Sequence, residues 1–339
     1  MPLHNLVDYF NDRLSREHRS SFSPFIVEDG KASGLFGPLR IDSLFTPIRH
    51  TLKPTTIAGH AAQITVAPSK PQHLYANQIE NLLANNTAPA TEFESIINFD
   101  RLCRTVHMLN YLTLSHLQGV LFLDVDPRHI LGIKQDHGAY FEEVIGQCGL
   151  ATNNVAIVLT TSSQYARYYQ ELIHGLGNYR RRGYQIALKL DYFNHDQATT
   201  ELISQISPDF LSLSARSFEQ KPQDADVGYS LKAGLRSRWL SGVEAGGGIR
   251  FDSAQRTTPK LSQLKREAAD VLTALQQLQN RIKALGGLTI LQQIDEKKSD
   301  LLARNAGFDL VEGGYYRAIA FDYLSPYKNA FHELKANNY

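Results

Sequence analysis

Val155-Ala156-Ile157-Val158-Leu159-Thr160 is followed by a helical pattern over residues 165–182 and then by Gln185-Ile186-Ala187-Leu188-Lys189-Leu190. Both runs are short and almost wholly apolar, as strands buried on two faces are, and the helix-length segment between them makes the connection a parallel crossover. The same unit repeats outward. Before it lie a helix over residues 93–114, the strand Gly119-Val120-Leu121-Phe122-Leu123-Asp124-Val125, and a helix over residues 140–148. After it come a helix over residues 198–206, the strand Phe210-Leu211-Ser212-Leu213 and a long helix over residues 259–285. The strand Leu288-Thr289-Ile290-Leu291, a helix over residues 297–305 and the strand Phe308-Asp309-Leu310-Val311 close the series. About seven or eight such units predict an α/β fold, a closed (β/α)8-like TIM barrel, with an open doubly wound sheet as the alternative.

Upstream, Ser43-Leu44-Phe45-Thr46-Pro47-Ile48 and residues 56–66 flank Lys53-Pro54 and read as a hairpin, which gives the barrel an initial antiparallel strand. Residues 1–40 read as an N-terminal helical extension, with apolar residues at helical spacing and then turn signals. The barrel is expected over residues 41–325, with an insertion loop over residues 219–258 and a C-terminal tail over residues 326–339. The insertion is rich in glycine and carries Arg236, Arg238 and Trp239, the candidates for a partner contact.

Composition narrows the function classes. Among 339 residues, 35 Lys+Arg balance 34 Asp+Glu, which removes any global electrostatic reason to bind nucleic acid or an anionic membrane. No window approaches the ~18 to 20 apolar residues of a membrane span, and the amino terminus lacks the apolar core of a secretory signal, so the protein is expected to be cytoplasmic. Cys103 and Cys148 sit in no metal-binding or redox spacing and read as buried reduced thiols.

In a β/α barrel the reactive groups stand at the carboxyl ends of the strands. Those positions hold Asp124 and Asp126, Thr160 and Thr161, Lys189 with Asp191, Ser212 and Ser214, Asp295 and Glu296, and Glu312. A hard-metal site could be drawn from Asp124, Asp191, Asp295 and Glu312, whereas the simpler account has these acids capping helices or facing water. The histidines, His60, His107, His116, His129, His174 and His195 among them, show no regular metal spacing. Gly246-Gly247-Gly248 has no following Lys-Ser or Lys-Thr and makes no phosphate loop.

The order of the strand ends resembles the EAL-domain family of cyclic-di-GMP phosphodiesterases over about residues 41 to 325. Phe45-Thr46-Pro47-Ile48 is similar to the family's opening Gln-Pro-Ile strand, and residues 57–63 to its Gly-x-Glu-Ala-Leu strand. Residues 121–129 resemble the strand ending Asn-x-Ser-Pro, and residues 182–188 the Gly-x-x-Ile-Ala-Leu run before Asp-Asp-Phe-Gly. Residues 208–214 resemble the strand carrying Lys-x-Asp, and residues 306–315 the closing Gly-x-Asp-x-x-Gln-Gly-Tyr segment.

Carried over residue by residue, the resemblance implies that the active groups are almost all replaced. The signature Glu falls on Ala61, its Leu on Gln63, and the phosphate-gripping Arg on Thr65. The Asn ligand becomes Asp124, and the Glu of Thr-Glu becomes Thr161. Asp-Asp-Phe-Gly aligns with Lys189-Leu190-Asp191-Tyr192, or with a shift that keeps only Asp191. The catalytic Lys becomes Ser212 and its neighbouring Asp Ser214. Ala-Glu-Gly-Val-Glu becomes Leu291-Gln292-Gln293-Ile294-Asp295, and the late Gln becomes Glu312.

Such a hydrolase binds two hard cations and activates a water, which the replacements remove. The expected function is therefore that of a catalytically inactive regulatory protein, acting through protein–protein interaction in bacterial signalling, with no cofactor, no metal and no hydrolysis of cyclic-di-GMP. Its vestigial pocket would be lined by Gln63, Asp124, Asp191, Gln292 and Glu312. Cyclic-di-GMP is not the expected ligand; a non-hydrolysing cyclic-di-GMP-binding effector is the alternative, and an enzyme with a rewired acidic metal site the second. The partner is an unknown regulatory protein. The apolar stripe of the helix over residues 259–285 packs on the barrel in the simpler reading, and could serve a homodimer or a partner groove in the other.

Overall fold

Every described strand from residue 57 onward runs the same way, and the chain returns to each new one through a helix. The computed structural model describes residues 2–18, 23–68, 89–112, 119–133, 137–161, 163–190, 197–218 and 261–317. Helix α1 (Leu3–His18) precedes strands β1 (Phe25–Glu28), β2 (Lys31–Phe36), β3 (Leu39–His50) and β4 (Ile57–Pro68). Helix α2 (Pro89–Tyr111) leads to β5 (Val120–Val125), α3 (Pro127–Gly132), α4 (Ala139–Gln147) and β6 (Val155–Thr161). Then follow α5 (Tyr169–Arg181), β7 (Gln185–Leu190), α6 (Gln197–Ile206) and β8 (Phe210–Ser214). The described chain ends with α7 (Leu261–Ala284), β9 (Leu288–Gln292), α8 (Lys297–Ala306) and β10 (Leu310–Val311).

Strands β4 to β10 pair in parallel, in sequence order. Strand β3 closes the ring: it is antiparallel to β4 from Leu39↔Pro68 to Arg49↔Ile57, and antiparallel to β10 through Leu310↔His50 and Val311↔Arg49. The result is a closed mixed barrel of eight strands, and the open doubly wound alternative falls. The initial strand of the sequence hairpin is β3. Its first residues also pair with β2 (Gly34↔Ile41), and β1 adds to β2, so a short ribbon extends the sheet beside the ring.

Residues 1–40, read from sequence as a helical extension, hold α1 and both ribbon strands; the turn residues around Gly30 and Gly37 masked the short strands between them. Leu6, Val7 and Phe10 of α1 are buried in the outer core, so this segment is packed against the barrel's flank. The partner-contact candidates Arg236, Arg238 and Trp239, the rest of the insertion loop and the tail lie outside the described residues. Among the described residues no helix is long and apolar enough to cross a membrane.

Two apolar clusters follow from the two faces of the ring. The outer one packs the strands against the helices. There Leu275 and Ile282 of α7 are fully buried, so this part of the α7 stripe packs on the barrel. The inner cluster fills the lumen with Ile48, Ala61, Phe122, Ala156, Val158, Ala187, Phe210, Ile290 and Leu310. Small alanines face the edge-to-face pair Phe122–Phe210, whose ring centroids are 4.8 Å apart. The crowding reaches the backbone at Gly59, where a Cβ would stand 2.2 Å from the Val120 carbonyl oxygen.

Candidate functional site

The lumen-facing residues form the floor of a mouth at the carboxyl ends of the parallel strands. Strand side chains alternate between faces, so the residue two beyond each lumen residue points the same way. From Ala61 this step gives Gln63, from Phe122 it gives Asp124, and from Ala187 it gives Lys189. From Phe210 it gives Ser212 and then Ser214, from Ile290 it gives Gln292, and from Leu310 it gives Glu312. Register links them laterally: Thr160 pairs with Lys189, Lys189 with Ser212, and Ser214 with Gln292.

Glu312 is the deepest acid of this layer, 6% exposed. Its backbone N–H donates to the Leu291 carbonyl at 2.9 Å and its own carbonyl accepts from Ile294 at 3.0 Å, which fixes the residue just past β10. The Gln292 amide donates from Nε2 to Glu312 Oε2 at 2.6 Å. Burial pushes the Glu312 carboxyl above its ordinary range, and the charge of Asp124 adds to that; Lys189 and the Gln292 hydrogen bond oppose it. The Gln292 Oε1 atom is buried there without a hydrogen-bond partner.

The other strand-end residues have different tasks. Thr161 donates from Oγ1 to the Lys189 carbonyl at 3.3 Å, which ties β6 to β7. Asp126 caps α3, accepting from the Arg128 N–H at 2.8 Å, and pairs with the Arg128 guanidinium at 2.9 Å. Asp295 sits exposed on the rim, bound to Arg216 at 2.9 Å and to the Gly314 N–H at 3.3 Å. Glu296 is the N-cap residue of α8 and pairs with Lys298 at 3.2 Å. The acidic set Asp124, Asp191, Asp295 and Glu312 is thus not assembled. Asp295 is turned to the rim, Asp191 lies outside the described residues, and no group of three His, Cys, Asp or Glu among the described residues is placed to hold a metal.

Spacing in sequence did not single out a buried ionic cluster under the end of β5. Asp100 and Arg104, one turn apart on α2, are both 1% exposed and paired. The Asp100 carboxylate also accepts from His129 Nδ1 at 3.0 Å and from the Asp126 N–H at 3.2 Å. Arg104 donates to His129 Nε2 at 3.0 Å and to the Tyr179 hydroxyl at 3.3 Å, and stacks 3.7 Å from the Phe141 ring centroid. A ring that donates from Nδ1 and accepts at Nε2 is neutral, and burial lowers the His129 pKa in agreement. Burial alone would raise the Asp100 carboxyl, but Arg104, His129 and the Asp126 N–H hold it down at about 2. The cluster clamps the backbone at Asp126, just past the end of β5. The i, i+4 spacing of Asp100 and Arg104 was visible in sequence; their burial was not. Both cysteines are free and buried, and burial pushes the Cys148 thiol up to about 12.

No protein-family model and no curated protein matches the sequence. Solved structures do. BlrP1 of Klebsiella pneumoniae, in a calcium and cyclic-di-GMP complex, matches with a TM-score of 0.53 at 12% identity, over 81% of this chain and 54% of that one. The YkuI protein of Bacillus subtilis, with an EAL domain and in complex with substrate c-di-GMP and calcium, matches with a TM-score of 0.51 at 12% identity, over 88% and 64%. The EAL enzyme Bd1971, in its cAMP- and cyclic-di-GMP-bound form, gives 0.50 at 14% identity, over 81% and 61%. The chain spans less than two thirds of the length of each. At these identities the likeness is one of fold: the closed barrel of this chain is similar to the fold of these structures, EAL-domain proteins among them.

Proposed function

We propose that this protein is a catalytically inactive EAL-like barrel that works in cyclic-di-GMP signalling through contacts with another protein, without hydrolysing the nucleotide. The observation that carries the proposal is the chemistry of the barrel mouth. Phosphodiester hydrolysis by paired metals needs several carboxylates converging on the cations and a group to activate water. Among the described residues, the lumen-facing positions that could supply them hold Ala61, Lys189, Ser212 and Ser214, and the acids there are Asp124 and Glu312. Asp295 is committed to Arg216 on the rim.

The sequence reading set cyclic-di-GMP aside as a ligand. That fold neighbours were solved with it weighs against doing so, and ligand and reaction are best separated directly. The test is incubation of the purified protein with cyclic-di-GMP and Mg²⁺ or Mn²⁺, with product followed by chromatography and binding by titration calorimetry. No product is expected. Product formation that Asp124→Asn abolishes would overturn the proposal; saturable heat without product would replace it with a non-hydrolysing effector.

A further inference from the structure

Asp100, Arg104, His107 and Tyr111 follow one another at helical spacing, which sets them on one face of α2. Each meets a buried imidazole or carries one. Asp100 and Arg104 hold His129 of α3, with His129 Nδ1 3.0 Å from the Asp100 carboxylate and Nε2 3.0 Å from the Arg104 guanidinium. His107 Nδ1 lies 2.9 Å from Ser43 Oγ on β3, and the Tyr111 hydroxyl lies 3.3 Å from His60 Nδ1 on β4. All three rings are buried. Along this stripe α2 is fastened to three other elements, and each of these fastenings passes through a histidine. The same helix carries the ribbon: the Asn110 side chain accepts from the Ala32 N–H of β2 at 2.9 Å and donates to its carbonyl at 2.6 Å.

A second proton on these rings is poorly received. At His129 a carboxylate accepts from Nδ1 and a guanidinium, which can only donate, faces Nε2. A proton added at Nε2 would set two donors against each other beside a fixed positive charge. Asp100, the acid at this ring, is already bound to Arg104 and to the Asp126 N–H, and Asp126 is paired with Arg128. Arg101 of α2 adds positive charge, and Tyr179 of α5 meets Arg104. His107 faces Ser43 and Phe45 of β3 and has the paired Asp100 and Arg104 of its own helix as charged neighbours. His60 has Tyr111 of α2 and the Arg49 guanidinium of β3. Burial lowers the pKa of all three, His107 to about 3. We propose that the row of neutral histidines His60, His107 and His129 is an acid-released latch, whose protonation opens α2, with the ribbon it carries, ahead of the rest of the barrel. An exposed histidine takes up its proton at about pH 6.5. The folded values lie lower, so the latch holds fully above that pH and is lost as pH falls. Each ring that stays neutral while closed raises the opening constant by on the order of thirtyfold between about pH 8 and pH 5, and the three multiply.

The experiment follows hydrogen exchange of the full chain by mass spectrometry from about pH 8 to pH 5, with rates corrected for the intrinsic effect of pH on exchange. Peptides from α2, β1 and β2 are expected to lose protection below about pH 6.5 while those from β6 and β7 keep theirs. His129→Gln offers a donor to Asp100 and an acceptor to Arg104 but takes up no proton. It should leave α2 protected at pH 8 and weaken the loss of protection at pH 5 by on the order of thirtyfold, a change in pH profile that a merely structural role would not produce. His107→Asn, whose amide can still meet Ser43, should act likewise and serves the comparison if His129→Gln does not fold. Equal protection of α2 at both pH values would overturn the proposal, as would simultaneous loss across all the strands. A pH profile that neither substitution alters would overturn it as well.

Discussion

Glu312 and Asp100 are both buried carboxyl groups, and their surroundings push them in opposite directions. For Glu312 burial dominates and raises the folded-state pKa. The stability it contributes is full below the ordinary carboxylate range and is lost as pH rises through the folded value. Glu312→Gln keeps the shape and the chance of a bond to Gln292 but cannot ionise. The variant should lose less thermal stability than wild type as pH is raised from about 4 to 8, a difference calorimetry would reveal. Asp100, held at about 2, behaves the other way. Its contribution is present above the ordinary carboxylate range and is lost as pH falls toward 2. Asp100→Ala leaves Arg104 buried and unpaired and is expected to cost about 3–5 kcal/mol in urea unfolding at neutral pH. At this scale the sequence showed which acids stand at strand ends. It did not show which of them meet, because that depends on how the ring closes: Glu312 reaches Gln292 and Asp295 does not.

The elements were far more legible. Apolar strands alternating with helical periods announce themselves because each strand is buried on both faces. The short strands β1 and β2 were missed because turn residues punctuate them on both sides. Gly59 illustrates how two elements set each other's limits. Gly59→Ala would drive a methyl group into the Val120 carbonyl between β4 and β5 and should cost at least about 1–3 kcal/mol. Helix α7 offers a second check on which side chains hold an element in place. Ile282→Ala, fully buried, should cost about 2–5 kcal/mol, whereas Leu301→Ala on the half-exposed face of α8 should change stability by no more than about 0.5 kcal/mol. Equal losses at the two sites in chemical denaturation would contradict the packing described.

On the scale of the whole molecule, the ribbon and α1 are part of the barrel's support. Leu6, Val7 and Phe10 share one apolar cluster with Val106 and Leu109 of α2. A protein lacking α1, β1 and β2 would expose that face of α2 and the β2-pairing edge of β3, and should unfold at a lower temperature and self-associate in gel filtration. A truncated chain that stays monomeric with unchanged melting would show that the ribbon is dispensable. Strand β3 gives the arrangement a mechanical character. Its first residues pair with both β2 and β4 and its last with β4 and β10, and the register of the β3–β4 ladder shifts between Ile48 and Arg49. A bulge of this kind bends a strand and sharpens its twist. That joint includes Arg49, which pairs with Val311, the residue before Glu312. One strand thus ties the ribbon at one end to the charged floor of the mouth at the other.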